Sequence, residues 1–318
     1  KNSDEIFRIL TQNNQNELSG AATYGPLAQS LRADFPEIND ASRVSFYWGY
    51  LALTAGDKKF NESRTIFADP NFFTLFSFPV VSGDASTCLN SPNSIVLSES
   101  AARKYFGETD AVGKQVKIGE DQLFAVGGVY KDFSPTSNFR GDIILPLEII
   151  SKITQVWIEP SWNYPSDIHT FILAENNADA GVMSQKIENY LSGYVQENPE
   201  KLTLQPLKDI HTERNTGWES VPQANKSYLI LLAIVALAIL TMSAVNFFML
   251  YMGMASERSV TTGIKKVCGA SKFALFRGHV SEIIAYIAIS AAISISLIYL
   301  YNSVLTTQFS FLPHVNNF

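Results

Sequence analysis

Two cysteines in 318 residues, Cys88 and Cys268, are too few for the disulfide framework that staples small secreted domains. Histidine is nearly as scarce. His169, His211, His279 and His314 stand far apart, with no HExxH, and no CxxC pair occurs, so the spacings that hold zinc are missing. The GxSxG turn of a serine hydrolase is missing as well. One stretch, GETDAVGKQ from Gly107 to Gln115, faintly suggests a phosphate-binding loop. Five residues rather than four separate its glycines, however, and Gln115 stands where a magnesium-holding Ser or Thr belongs. It also follows a helix-like segment instead of a strand, and reads as a turn. Carboxylates such as Glu108 with Asp110, and Glu120 with Asp121, sit in loop-like surroundings and read as solvated charges. No catalytic residue, cofactor or metal is expected.

Positive charge is the other shortage. Residues 1–225 hold 18 basic and 28 acidic side chains, a net charge of −10. Nucleic-acid binding needs a cationic face, and a nucleic-acid partner is excluded. From Lys226 onward the balance reverses to six basic and two acidic side chains, a net +4, and no charge of either sign appears from Ile283 to Phe318.

What fills the second part is apolar. The run from Tyr228 to Met252 is 25 residues without a charge, and as a helix it would reach roughly 37 Å against a hydrocarbon core of about 30 Å. A second uncharged run of 19 residues, Ile283 to Tyr301, is close to the shortest useful span. Membrane spans are predicted at about 228–252 and 283–301. Neither is N-terminal, so neither is a signal peptide. Arg258, Lys265, Lys266, Lys272 and Arg277 crowd the connector between them. Lysine and arginine accumulate on the cytoplasmic side, which places the connector inside and the acidic domain, with the tail after Tyr301, outside. Cys88 and Cys268 then lie across the membrane from each other and cannot pair.

Residues 1–225 alternate helix-like and strand-like segments. ESAARKYF (Glu99 to Phe106) puts Ala101, Ala102, Tyr105 and Phe106 on one helical face, with Ser98 as N-cap and Gly107 after the end. SIVL precedes it; KQVKI and QLFAVGGVY follow around the turn signal GEDQ and read as a hairpin. Further on come a strand at HTFIL (His169 to Leu173), a helix pattern from Val182 to Val195, and a strand at LTLQPL (Leu202 to Leu207). The fold class is an α+β extracytoplasmic domain followed by transmembrane α-helices, with domains at 1–225 and 226–318.

The connector SVTTGIKKVCGAS (Ser259 to Ser271) predicts a helix over about 257–270. Val260, Ile264, Val267 and Cys268 follow the i, i+4, i+7, i+8 spacing of one apolar stripe, with Lys265 and Lys266 pointing elsewhere. Gly269 supplies a stop, and Ser271 can cap the next helix. Physics leaves two readings open: a helix lying on membrane lipid, or one docked in a groove of a cytoplasmic partner. In the spans, Ala288, Ala292 and Ser296 form a small-residue stripe suited to close helix packing. Asn246 is a polar group expected to face a neighbouring helix.

GIKKVCGAS resembles the GIRKVLGAS element of FtsX-like permeases, the membrane subunits of MacB-type ABC transporters, and VNFFMLYMGMASERS resembles the stretch before it. In the outer domain DPNFFTLFSFPVVSGD, NSIVLSESAARKYFG, AVGKQVKI, VGGVYKDFSPTS and LQPLKDIH are similar to successive blocks of the MacB-like periplasmic core domain. KNSDEIFRIL resembles the segment after the first span in long, duplicated permeases of Bacteroidetes-like bacteria, which implies an internal fragment of such a permease. Thr261 and Thr262 stand where the family usually has Glu-Ile, and Lys265 and Cys268 replace its arginine and leucine.

The resemblance implies an inner-membrane permease that is not itself an enzyme. A separate cytoplasmic ABC ATPase would grip the connector through Val260, Ile264, Lys265, Lys266, Val267 and Cys268, and drive movement of the periplasmic domain. It further implies a second permease half or a homodimer partner, and admits a periplasmic adaptor or outer-membrane channel. Two other classes compete. A membrane-anchored sensor for a kinase or cyclase usually continues into a long helical linker, whereas this chain re-enters the membrane after about 30 residues. An enzyme on a hairpin anchor lacks an active-site motif.

Overall fold

The computed structural model describes residues 4–12, 19–119, 122–134, 137, 139–175, 179–196, 198–210, 216–217 and 226–308. The chain divides into two compact units, Lys1–Ile230 and Leu231–Phe318.

Among the described residues, the first unit is built on one mixed sheet of 14 strands. In chain order these are β1 (Ile6–Gln12), β2 (Ser19–Gly20), β3 (Ile38–Tyr47), β4 (Leu51–Ala55), β5 (Lys58–Glu62), β6 (Thr65–Ala68), β7 (Val80–Gly83), β8 (Ser94–Ser98), β9 (Gln115–Ile118), β10 (Gln122–Tyr130), β11 (Ile143–Pro146), β12 (His169–Ala174), β13 (Lys201–Pro206) and β14 (Thr216–Gly217). The helices joining them are α1 (Leu27–Asp34), α2 (Phe72–Phe76), α3 (Glu99–Phe106), α4 (Ile150–Ile153) and α5 (Ala180–Ile187). Across the sheet the order is β14-β2-β1-β12-β3-β6-β11-β8-β10-β9-β4-β5, with β13 against β1 and β7 against β10. Most neighbours are antiparallel. β8 with β10, β6 with β11 and β2 with β14 are parallel, and α3 lies in the crossover that a parallel β8–β10 pair requires.

Residue choice follows position. Every residue of β6, β8 and β11 is buried, as expected where both faces of a sheet are covered. The edge strand β5, KKFNE, exposes its first four residues, and its lysines discourage pairing with another chain. α3 is capped as its sequence predicts: Ser98 Oγ accepts the Ala101 N–H at 3.1 Å, and Gly107 ends the helix at φ 81°. The β9–β10 hairpin pairs Gln122 with Ile118. Gly127 on β10 is obligatory for packing, because a Cβ there would sit 2.2 Å from the Cys88 carbonyl oxygen.

The helix pattern read over Val182–Val195 is realised differently. Asp179 caps α5 by accepting the N–H groups of Gly181 and Val182 (2.8 and 3.2 Å), so the helix starts at Ala180. It ends at Ile187, and a 3₁₀ turn, Tyr190–Gly193, follows. The apolar stripe runs through both pieces, burying Met183, Ile187 and Leu191.

Among the described residues, three apolar clusters fill the unit. One packs α3 and α4 against the face carrying Leu53, Leu97, Val116 and Val126. Another packs α1 and α5 against Phe7, Ile9 and Ile172. The third is aromatic: α2 inserts Phe72, Phe73 and Phe76 beside Phe139 and Phe171, with Phe76 edge-on to both at 4.6 and 5.1 Å. Such edge-on contacts add to simple area burial. Asp69, just before α2, ties this cluster to β3 by accepting bonds from the Arg43 guanidinium at 2.9 and 2.8 Å and from the Arg43 backbone N–H at 2.8 Å.

In the second unit α6 (Lys226–Gly253), whose first turn precedes the division, is followed by α7 (Ala255–Val267) and α8 (Lys272–Gln308). Ile230–Gly253 and Lys272–Tyr301 are long and apolar enough to cross a membrane, with mean hydropathies of 2.4 and 2.3.

Candidate docking helix

α7 is made by its ends as much as by its middle. Gly269 takes φ 91°, a left-handed conformation that glycine adopts without cost. The Cys268 N–H donates to Ile264 O at 3.0 Å, and the Ala270 N–H reaches back to Lys265 O at 3.0 Å. The helix therefore stops at Val267, and Cys268 is its exposed C-cap residue rather than a member of its stripe. Ser271 Oγ then accepts the Ala274 N–H at 3.2 Å and opens α8, which runs unbroken into the second apolar segment.

At roughly 100° per residue, Val260, Ile264 and Val267 share one face of α7. They are 63, 60 and 90% exposed. The opposite face carries Arg258, Thr261, Thr262 and Lys265, and with Ala270, Ala274, Leu275, Gly278 and Glu282 it lines a cleft of about 460 Å³ between α7 and α8. Lys265 and Lys266 thus part company: the first lines the cleft, the second stands outside it. Arg258 fixes the two helices together. Its guanidinium donates to both Glu282 carboxylate oxygens at 2.8 Å and lies 4.6 Å from the centre of the Tyr251 ring. Tyr286 also donates to Glu282, at 3.4 Å.

This pairing was not anticipated from sequence, since 24 residues separate its members. A signal was available: Glu282 is the last charge before a long uncharged run, and a carboxylate at that boundary needs a partner. The residues proposed for packing are exposed. Asn246 lies on α6 and Ala288 and Ala292 on α8, while the Ser296 hydroxyl donates within its own helix to Ala292 O at 2.8 Å.

Several polar groups of the first unit are engaged in structure. Lys114, in the loop that faintly suggested phosphate binding, pairs with Glu108 at 2.6 Å and lies over the Phe106 ring. Asp110 accepts from Ser82 at 3.4 Å; Glu120 and Asp121 lie outside the described residues. His169 is buried edge-on to Phe46, and His211 and His314 lie outside the described residues. Glu62 accepts from Lys104 at 2.6 Å and from the Tyr105 hydroxyl at 2.5 Å. Burial with that carboxylate alongside pushes the Tyr105 hydroxyl far above its ordinary range. Among the described residues no three His, Cys, Asp or Glu side chains converge as metal ligands would.

Residues 1–190 match the family model of the MacB-like periplasmic core domain. Among curated proteins the chain is similar to the uncharacterized ABC transporter permease YvrN of Bacillus subtilis, 24% identical over 233 residues. That alignment covers 71% of this chain and 54% of the relative, so the chain spans about half the relative's length. Among solved structures it is similar in fold to a domain assigned to a permease of Porphyromonas gingivalis, with a TM-score of 0.54 and 19% identity, covering 68% of this chain and 94% of that one. The periplasmic region of MacB from Actinobacillus actinomycetemcomitans aligns with a TM-score of 0.48 and 15% identity, over 65% of this chain and 91% of that one.

Proposed function

The chain belongs to the family of the MacB-like periplasmic core domain, and on that premise we propose that it is the permease subunit of an ABC transporter in the bacterial inner membrane. Residues 1–225 are its periplasmic domain, 226–318 its FtsX-like membrane region, and α7 its coupling helix. A separate cytoplasmic ATPase grips α7 and supplies the hydrolysis. When that ATPase closes on ATP it draws docked helices together, the spans carry the movement outward, and the periplasmic domains rearrange. Export or signalling is driven by transmitted force, without cargo passing through this chain. A second permease half or a second copy packs against the exposed small-residue stripe of α8.

One observation carries the reading: α7 turns Val260, Ile264 and Val267 outward while Arg258 and Glu282 hold its other side to α8. A helix held rigidly on one face and apolar on the other is a lever with a grip. Thr261, where the family usually has a glutamate, faces the cleft, which leaves the grip to shape and apolar burial. The test is Ile264→Asp in the full-length permease. Setting a carboxylate in an apolar contact should weaken co-purification of the ATPase by more than about tenfold, with the thermal transition of the outer domain unmoved. Undiminished association rejects docking through this face.

A further inference from the structure

The cleft on the other face of α7 has its own chemistry. Arg258 and Lys265 meet one carboxylate, Glu282, and two hydroxyls, Thr261 and Thr262, so the lining carries a net positive charge. Arg258 is not free to swing away, because Glu282 holds two of its N–H groups and Tyr251 lies against its face. On α8 the facing positions include two small residues beside Leu275. Ala274 and Gly278 leave the space open, and a Cβ built at Gly278 would meet nothing within 4 Å. Ile283, where the uncharged run begins, directly follows Glu282. In the orientation proposed above, the cleft therefore lies at the depth of the inner-leaflet headgroups.

We infer that this cleft binds the phosphodiester headgroup of an anionic phospholipid, with Lys265 and Arg258 against the phosphate and the threonine hydroxyls donating to its oxygens. Basic pockets between helices at the cytoplasmic boundary suit such headgroups, and a guanidinium already fixed in direction loses little freedom on binding. A bound lipid would brace the α7–α8 corner through which force is transmitted. The inference rests on the proposed orientation but not on ATPase docking.

The test uses the full-length permease purified in detergent without ATPase and exposed to phosphatidylglycerol or phosphatidylcholine, with retained lipid counted by native mass spectrometry. Phosphatidylglycerol should be retained about fivefold more readily. Lys265→Glu should abolish the preference, and so should Gly278→Leu, which fills the cleft without altering charge. Lys266→Glu, the same charge change outside the cleft, should keep it. Ile264→Asp should keep it too, even where ATPase association is lost. Equal retention of the two lipids, equal losses in Lys265→Glu and Lys266→Glu, or displacement by millimolar inorganic phosphate would each overturn the assignment.

Discussion

Phe72 and Leu232 are both large apolar side chains, and the molecule treats them oppositely: Phe72 is 0% exposed inside the first unit, Leu232 is 64% exposed on α6. The contrast runs through both regions. The first unit closes its own core, with three clusters sealed between a sheet and short helices. Among its described residues, the second exposes nearly every large apolar side chain from Leu231 to Tyr301. One region is stabilised by packing within the chain. The other satisfies its backbone within each helix and leaves its surface for lipid or neighbouring helices to cover. A substitution should therefore be felt in folding stability in the first region and in assembly in the second.

The sharpest way to break this contrast is a matched pair. Phe72→Ala empties the aromatic cluster and should cost about 4 kcal/mol, read by denaturant unfolding of the outer domain. Leu232→Ala should leave that transition where it is. If both variants shift it alike, the two regions are not independent. A smaller effect is expected at Asp69, whose carboxylate and the Arg43 guanidinium are 16 and 20% exposed. Asp69→Ala takes away the arginine's carboxylate but leaves its 2.9 Å bond to the Gly25 carbonyl, and should cost about 2 kcal/mol, less than a fully buried pair because water reaches both partners.

The smallest effect has the opposite sign. Burial, helped by Glu62 and Asp132, pushes the Asp142 carboxyl above its ordinary value of 3.8, against the pull of Arg64 and Lys104. The folded protein therefore holds this proton to higher pH than the unfolded chain. The ionised carboxylate costs stability above the ordinary value, and the cost disappears below it. Asp142→Asn should raise the melting temperature at pH 7, with the gain shrinking to nothing as the pH falls through that value. A gain that persists in acid would mean that something other than ionisation is at work.

Local signals in the sequence carried local structure. The Ser98 cap, the Gly107 stop and the hairpin after it are each set by a few adjacent residues, and each forms where its pattern lies. The Gly269 stop and the Ser271 cap do the same around α7. Long-range arrangement was not legible. β6, β8 and β11 are buried throughout, so they show no alternation from which register or neighbours could be read. The hairpin of β4 and β5 at the sheet's edge went unread, as did the buried Arg8, which donates to Gln205 nearly 200 residues away. At the candidate site the apolar stripe was legible because one helix carries it. The cleft and the Arg258–Glu282 pair were not, because they exist only once two helices meet.

The central claim is that the turn after α7 faces the cytoplasm. The chain already carries the reporter: Cys268 is exposed, while Cys88 is buried and its thiol is pushed up to about 11 by that burial, so only Cys268 should react readily. Intact cells treated with a membrane-impermeant maleimide, followed by peptide mass spectrometry at Cys268, test this directly. The account predicts no label until the inner membrane is permeabilised and strong label afterwards. Labelling of Cys268 in intact cells would contradict it.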